Sequence, residues 1–209
     1  MNSFSQYSCG DFAGALASKT SVPGGGGAAA MVGALAAALC SMAGNFTAGK
    51  KKYAAYEEDI QRILAEAEAL RQCLLALVDA DADGFQPLAK AYAIPKEDPG
   101  RDAVMEKATL GACHAPMQML FACGDVLLLL EELLEKGSRL LLADVGCGAY
   151  LCRAAMECAA LSVFVNTAAL KNRETAAEIE QQVDRMLKTY LPLADRITAS
   201  VTGYIRKEP

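Results

Sequence analysis

Apolar residues recur every three to four positions over most of this chain, and nowhere do they alternate with polar ones for long enough to predict a strand. The clearest period covers residues 50–88. Ile60, Ile63, Ala67, Leu70, Leu74, Leu77 and Val78 share one face, while Glu57, Glu58, Arg62, Glu66, Glu68 and Arg71 fill the other. Pro87 lacks the N–H that a helix interior uses, so a kink or an end is expected near Gln86. Ahead of this helix, residues 4–19 place Phe4, Phe12, Ala13 and Leu16 as the apolar face of one short helix. Residues 26–46 are apolar all round, which marks a helix central to the fold, and Thr47-Ala48-Gly49 break it.

Beyond Pro87, residues 91–100 carry Pro95, Pro99 and Gly100 and predict a loop. A fourth helix is expected over 101–135, bent at Pro116 or Gly124. Lys136 and Gly137 close it, and Ser138 is placed to cap the next. The fifth helix, over 139–170, is again rich in small residues. The last, over 175–204, has distinct charged and apolar faces, with Pro192 as a place to kink. The joints are short, and there is no internal repeat or low-complexity linker. The pattern therefore predicts an all-α, single-domain bundle of five or six long helices covering residues 1–209, with the two Ala/Gly-rich helices innermost.

Composition extends this picture to the surface. Hydrophobic residues make up 53% of the 209, with much of that total in alanine and no tryptophan, so closely packed helices and leftover apolar surface are expected, covered in a homodimer. The net charge is -5 and the longest basic run is Lys50-Lys51-Lys52, which argues against nucleic acid as a partner. The N-terminus has no basic segment followed by an apolar one, and the apolar stretch at 120–130 is interrupted by Gly124 and Asp125, well short of the roughly 20 residues that span a bilayer. A soluble, cytoplasmic protein with no membrane partner is expected. The eight cysteines sit among apolar or small neighbours without metal-knuckle spacing, and are expected to be reduced core residues. With His114 the single histidine, no metal site is expected.

Two features invite chemistry. Pro23 is followed by Gly24, Gly25, Gly26 and Gly27 at the start of the all-apolar helix, where free N–H groups can receive an anion or a ligand tail, or where bare backbone can pack closely on another helix. Neither nucleotide-binding fingerprint applies, because no Lys-Ser/Thr pair follows and no strand precedes. The second feature is Asp81, four residues after Leu77 and four before Phe85, on the apolar face of its helix. A carboxylate there is desolvated unless paired, and its pKa rises toward general acid or base use. Asp79 and Asp83 lie about 160 and 200 degrees round the helix from it, so the three form neither a compact metal cluster nor a calcium loop.

Asp144 falls among Leu140, Leu141, Cys147, Gly148 and Leu151, a second acid on a small-residue face, and for either acid the plain alternative is a buried aspartate paired within the core. Asn166 shares a face with Ala155, Cys158 and Ala159, where an amide can bond a planar heterocycle or bridge helices; Asn45 raises the same choice. Asp125 reads as structural, and His114 as an ordinary packed or exposed residue rather than a proton shuttle.

Taken in order, several short motifs resemble one family. They are Pro23-Gly24-Gly25-Gly26 with Ala29-Ala30 and Gly33-Ala34-Leu35; Thr47, Gly49-Lys50-Lys51 and Tyr53; Asp79, Asp81 and Phe85; Ile94-Pro95-Lys96; and Pro116, Asp144 and Asn166. At these intervals the chain resembles the formiminotransferase-cyclodeaminase family, in its cyclodeaminase domain and its stand-alone bacterial methenyltetrahydrofolate cyclohydrolases. The resemblance runs over about residues 21–172. Four positions depart from the family pattern: Gly27 and Ala143 stand where serine is usual, Ser162 where asparagine is common, and Asn172 where aspartate is common.

The resemblance implies a reduced folate, possibly polyglutamylated, held between helices near a subunit interface, with no cofactor beyond that tetrahydrofolate substrate. It implies formimidoyltetrahydrofolate cyclodeaminase activity, with methenyltetrahydrofolate cyclohydrolase activity, or a non-catalytic folate-binding relative, as the alternatives. Asp81 is then expected to be the acid/base, with Asp144 tuning or orienting it. Asp79, Asn166 and the amides of Gly24, Gly25, Gly26 and Gly27 would bind the ligand, and Lys50, Lys51 and Lys96 would meet its anionic tail.

Overall fold

A computed structural model describes residues 3–207. A single 3-10 turn at Phe4–Gln6 leads into α1 (Cys9–Leu16), followed by α2 (Gly25–Asn45), a 3-10 segment at Lys51–Tyr56, and α3 (Glu57–Tyr92). Then come α4 (Arg101–Ala112), α5 (His114–Lys136), a short 3-10 turn at Arg139–Leu141, α6 (Leu142–Ala169) and α7 (Arg173–Arg206). The described residues contain no strand, and six of the helices are long.

α2 and α6 are the inner pair. Ala30, Ala36, Ala37 and Cys40 on α2, and Ala149, Cys152, Ala159 and Val163 on α6, are wholly buried. Small residues permit the approach: a Cβ on Gly148 of α6 would lie 3.5 Å from the carbonyl oxygen of Ala36 on α2. α3 and α5 close on the other side of α2, where a Cβ on Gly33 would come 2.8 Å from Cys123 Sγ and 3.1 Å from Leu74 Cδ2. Leu74 of α3 and Leu120, Leu127, Leu130 and Leu133 of α5 are fully buried, each burial contributing about 1.5–3 kcal/mol. By length and composition alone, Gly25–Asn45 and Arg139–Ala169 could each cross a bilayer, but about half of each window is buried against the rest of the bundle.

Several boundaries differ from the sequence expectation. Residues 4–19 give a 3-10 turn and a separate short helix, because Ser8 caps α1 by accepting the N–H of Asp11. Pro87 neither ends nor replaces α3, which continues to Tyr92; Leu88 and Ala91 pack with Ala108 of α4 in a small core of their own, and that burial offsets the missing N–H. The single helix expected over 101–135 is two, parted at Cys113, so that Pro116 is the third residue of α5, where a helix leaves its N–H groups without internal partners. Ser138 makes no side-chain cap; instead its N–H donates to Thr47 Oγ1 at 2.8 Å. Of the eight cysteines, Cys40, Cys113, Cys123 and Cys152 are buried as core residues, but Cys9, Cys73, Cys147 and Cys158 are exposed.

Candidate functional site

The first turn of α2 opens on a cavity of about 520 Å³, walled by Gly24, Gly25, Gly26, Ala28, Ala29 and Val32. Asp81 and Phe85 of α3, Ala112 of α4 and Pro116 of α5 form a second side, and α6 closes the third from Ala154 to Asn166. Ligand cavities of this size and mostly apolar lining suit a flat organic molecule held by a few polar groups. The side-chain polar groups that line it are those of Ser21, Asp81, Ser162 and Asn166.

Asp81 is the charged residue among these, and its place follows from the backbone opposite. Gly24 begins α2 in an extended conformation and offers no side-chain cap. The bare backbone of Gly26 faces the Asp81 carboxyl so closely that a Cβ there would overlap it. Burial raises the Asp81 pKa above the ordinary carboxylate range, and the Gly27 N–H beside it pulls in the opposite direction. The α2 amides expected to await an anion thus already face one supplied by the chain itself.

The neighbouring acids are sent elsewhere. Burial would raise Asp79, yet hydrogen bonds from the N-terminal segment outweigh it and hold its carboxyl below the usual range. Ser3 Oγ, the Phe4 N–H at 2.6 Å and Ser5 Oγ at 2.8 Å all donate to it. Asp79 therefore clasps the chain's beginning and does not line the cavity. Asp83 is exposed and accepts from Gln86 Nε2 at 3.1 Å.

The sequence places Asp144 on a small-residue face as a second buried acid, and the resemblance gives it the role of tuning or orienting Asp81. Asp144 is only half-buried, in the first turn of α6, and it does not line the cavity: ten residues separate it from Ala154, about 15 Å of helix. Lys50, Lys51 and Lys96 are exposed and contribute nothing to the cavity wall; Lys50 Nζ sits 5.9 Å from the centre of the Phe46 ring. Asn166 does line it, one turn beyond Ser162, whose hydroxyl donates to the Cys158 carbonyl at 3.3 Å. Asn45 and Asp125 are exposed, and so is His114, which pairs with Gln118 at 2.9 Å. Although Asp125 is exposed overall, partial desolvation of its carboxyl and the neighbouring Glu66 raise its pKa. Among the described residues no group of three or more potential metal ligands is gathered.

Ser21, Val32, Leu161 and Val165 were not singled out from sequence. Leu161 and Val165 are 64% and 72% exposed although apolar and one turn apart on α6. That outward pair was the available signal, since a helix has no reason to present such residues to water unless something covers them. At Gly27 a Cβ would meet Pro23 Cβ at 3.5 Å and the Val78 carbonyl at 3.7 Å, ordinary contacts that leave room for a side chain.

A sequence profile described as formiminotransferase-cyclodeaminase matches residues 8–185. The chain is 36% identical over 194 residues to a methenyltetrahydrofolate cyclohydrolase of Methylorubrum extorquens, covering 91% of this chain and 93% of that one. It is 26% identical over 177 residues to the formimidoyltransferase-cyclodeaminase of Sus scrofa, covering 83% of this chain but only 33% of the pig protein. In three dimensions it is similar to the crystal structure of a formiminotetrahydrofolate cyclodeaminase from Thermotoga maritima, with a TM-score of 0.84, 28% identity, and coverage of 96% of this chain and 98% of the other.

Proposed function

Because the chain belongs to the formiminotransferase-cyclodeaminase family, we propose that its cavity takes a reduced folate and that it is an enzyme closing 5-formiminotetrahydrofolate to 5,10-methenyltetrahydrofolate with release of ammonia. The observation that carries this reading is the half-buried carboxyl of Asp81, the charged side chain in an otherwise apolar or neutral wall. The formimino group enters protonated, as an amidinium; N10 loses a proton as it attacks the amidinium carbon, and the amino nitrogen of the tetrahedral adduct gains one as it departs, so the positive charge ends on the methenyl product. The Asp81 carboxylate accepts the first proton and, as a carboxylic acid, delivers it to the second nitrogen, so the protons balance with no further acid or base. Its raised pKa brings the group closer to neutrality, where one residue serves in both directions. The apolar faces of α2 and α6 hold the rings, Ser162 and Asn166 bond the heterocycle edge, and Asp144 takes no part within one chain. The chemistry calls for no cofactor beyond the folate.

A second reading is supported by the relative of Methylorubrum extorquens, similar over nearly the whole of both chains. As a cyclohydrolase, the same carboxylate would take a proton from water attacking the methenyl carbon and return it to N5 as the ring opens, while the carbinol hydroxyl releases its proton to solvent, giving neutral 10-formyltetrahydrofolate. Purified protein supplied with each substrate separates the two: ammonia release from the formimino compound supports the first, and loss of methenyl absorbance without ammonia the second. Folate binding without turnover of either makes the protein a non-catalytic relative, and no binding removes the folate reading.

We also propose that the single helical domain works as a homodimer. Leu35 on α2 and Tyr150, Leu161 and Val165 on α6 are more than half exposed, on neighbouring helices, with Glu157, paired to Arg153, as a charged residue on the same face of α6. A second copy is the occupant that such surface suits, because it brings an equally apolar face.

A further inference from the structure

Four consecutive glycines invite one explanation for all of them, yet the space around them differs. A Cβ on Gly25 would meet nothing within 4 Å, one on Gly24 only the Ser21 carbonyl at 3.9 Å, and one on Gly27 ordinary contacts. Gly26 alone of the four has no room, and what fills the room is the carboxyl of Asp81, both oxygens and the carbon that bears them. Close helix packing does not explain this glycine, because its neighbour is a carboxyl group rather than a helix backbone. A free anion site does not explain it either, since Asp81 stands where the anion would.

We propose that Gly26 is a positioning residue for Asp81: the bare first turn of α2 is a seat that fixes the carboxyl in the cavity wall, at the place where the proposed reaction uses it. The bearing on catalysis rests on that reaction, whereas the seat is a matter of contact alone. The groups facing Asp81 leave little else to hold it. α2 contributes no charged side chain there, α4 and α5 contribute Ala112 and Pro116, and α6 contributes the Cys158 thiol as its one ionisable group at the cavity. On α3 itself, Asp79 is turned to the N-terminal segment and Asp83 to solvent.

Gly26→Ala, Asp81→Ala and the double variant test the seat by thermal unfolding. In the parent background Gly26→Ala should lower Tm by about 2–4 °C, because the Asp81 carboxyl must swing off its seat and give up the Gly27 N–H. In the Asp81→Ala background the same change should be neutral or raise Tm, because the obstacle is gone and alanine is the better helix former. Equal losses in both backgrounds, or failure to fold in both, overturn the proposal; failure in the parent background with folding restored by Asp81→Ala supports it.

The positioning role has its own readout. Burial outweighs the Gly27 N–H at Asp81, so a carboxyl displaced toward solvent returns toward the ordinary carboxylate range. In Gly26→Ala the carbon-13 titration of the Asp81 carboxyl should therefore move to lower pH, and kcat should fall about tenfold or more while KM stays within about threefold. An unmoved titration, or a loss confined to KM, overturns the positioning role even where the unfolding cycle supports the contact. If neither folate substrate is turned over at all, the unfolding cycle and the titration still decide the seat, so its failure and that of the proposed reaction remain distinguishable.

Discussion

Glu106 accepts the backbone N–H of Asn172 at 3.0 Å, and with it that of Lys171 at 2.8 Å, so one carboxylate on α4 holds the corner between α6 and α7. Asn172 in turn caps α7 by accepting the N–H groups of Glu174 and Thr175, and Lys171 pairs with Asp102 of α4. The end of α4 that reaches the cavity at Ala112 is thus tied at its other end to the two C-terminal helices.

This tie should depend on pH in a definite direction. The N–H groups of Asn172 and Lys171 hold the Glu106 carboxyl below its ordinary value, so its contribution is present above the unfolded pKa and is lost as pH falls through the folded one. Hydrogen exchange in α4 should be faster in Glu106→Ala than in the parent at neutral pH, and the difference should begin to shrink as pH falls below the ordinary glutamate value of about 4.3 and vanish once Glu106 is protonated in the folded protein. A difference that persists in acid would mean that packing, not the carboxylate, holds α4.

Replacing Asp81 by Asn keeps the shape of the side chain and removes its proton transfer. Turnover of the folate substrate should fall by roughly 100-fold or more while affinity survives. Steady-state kinetics and a binding titration on the same preparation check both halves, and near-normal turnover would take the carboxyl out of the mechanism.

Gly33→Ala should destabilise the bundle by about 1–2 kcal/mol. The new methyl meets Cys123 Sγ and Leu74 at less than ordinary contact, an overpacking cost of about 1–3 kcal/mol that the gain in helix propensity only partly offsets. Urea unfolding measures it, and an unchanged midpoint would mean that α5 yields at this crossing.

The proposed dimer is tested away from the cavity by Tyr150→Glu. Tyr150 is 57% exposed on α6 and does not line the cavity, so a charge there should dissociate the dimer without touching the ligand wall. Sedimentation at micromolar concentration should change from dimer to monomer. A parent protein that is already monomeric would remove the proposal.

The helices were legible because their apolar period is long and consistent, and Asp81 stood out because it interrupts that period. Which carboxylates share a site was not legible, because it depends on where helices end relative to one another. Asp79 and Asp81 are two residues apart and serve unrelated purposes, while Asp144, equally well placed among small residues, lies well along α6 from the cavity. Lysines close in sequence to the glycine-led helix suggested a cationic tail site, but Lys50 and Lys51 follow the far end of that 21-residue helix, about 30 Å from its first turn. Cys113 gave no warning of the break between α4 and α5, since helix-forming residues stand on both sides of it.

The small core of Leu88, Ala91 and Ala108 makes the molecule unequal in its resistance to opening. α2 and α6 can separate only by dismantling the whole interior, whereas the end of α3 and α4 give up the buried side chains of Leu88, Ala91, Ala108 and Thr109 and a few surface ties. That corner has the means to unfold and reform while the rest of the bundle stays intact, with exchange free energies below those of the inner helices. Ala112 and Phe85 belong to the cavity wall and to the margin of this corner, so one side of the site is bounded by a small satellite core rather than by the main one.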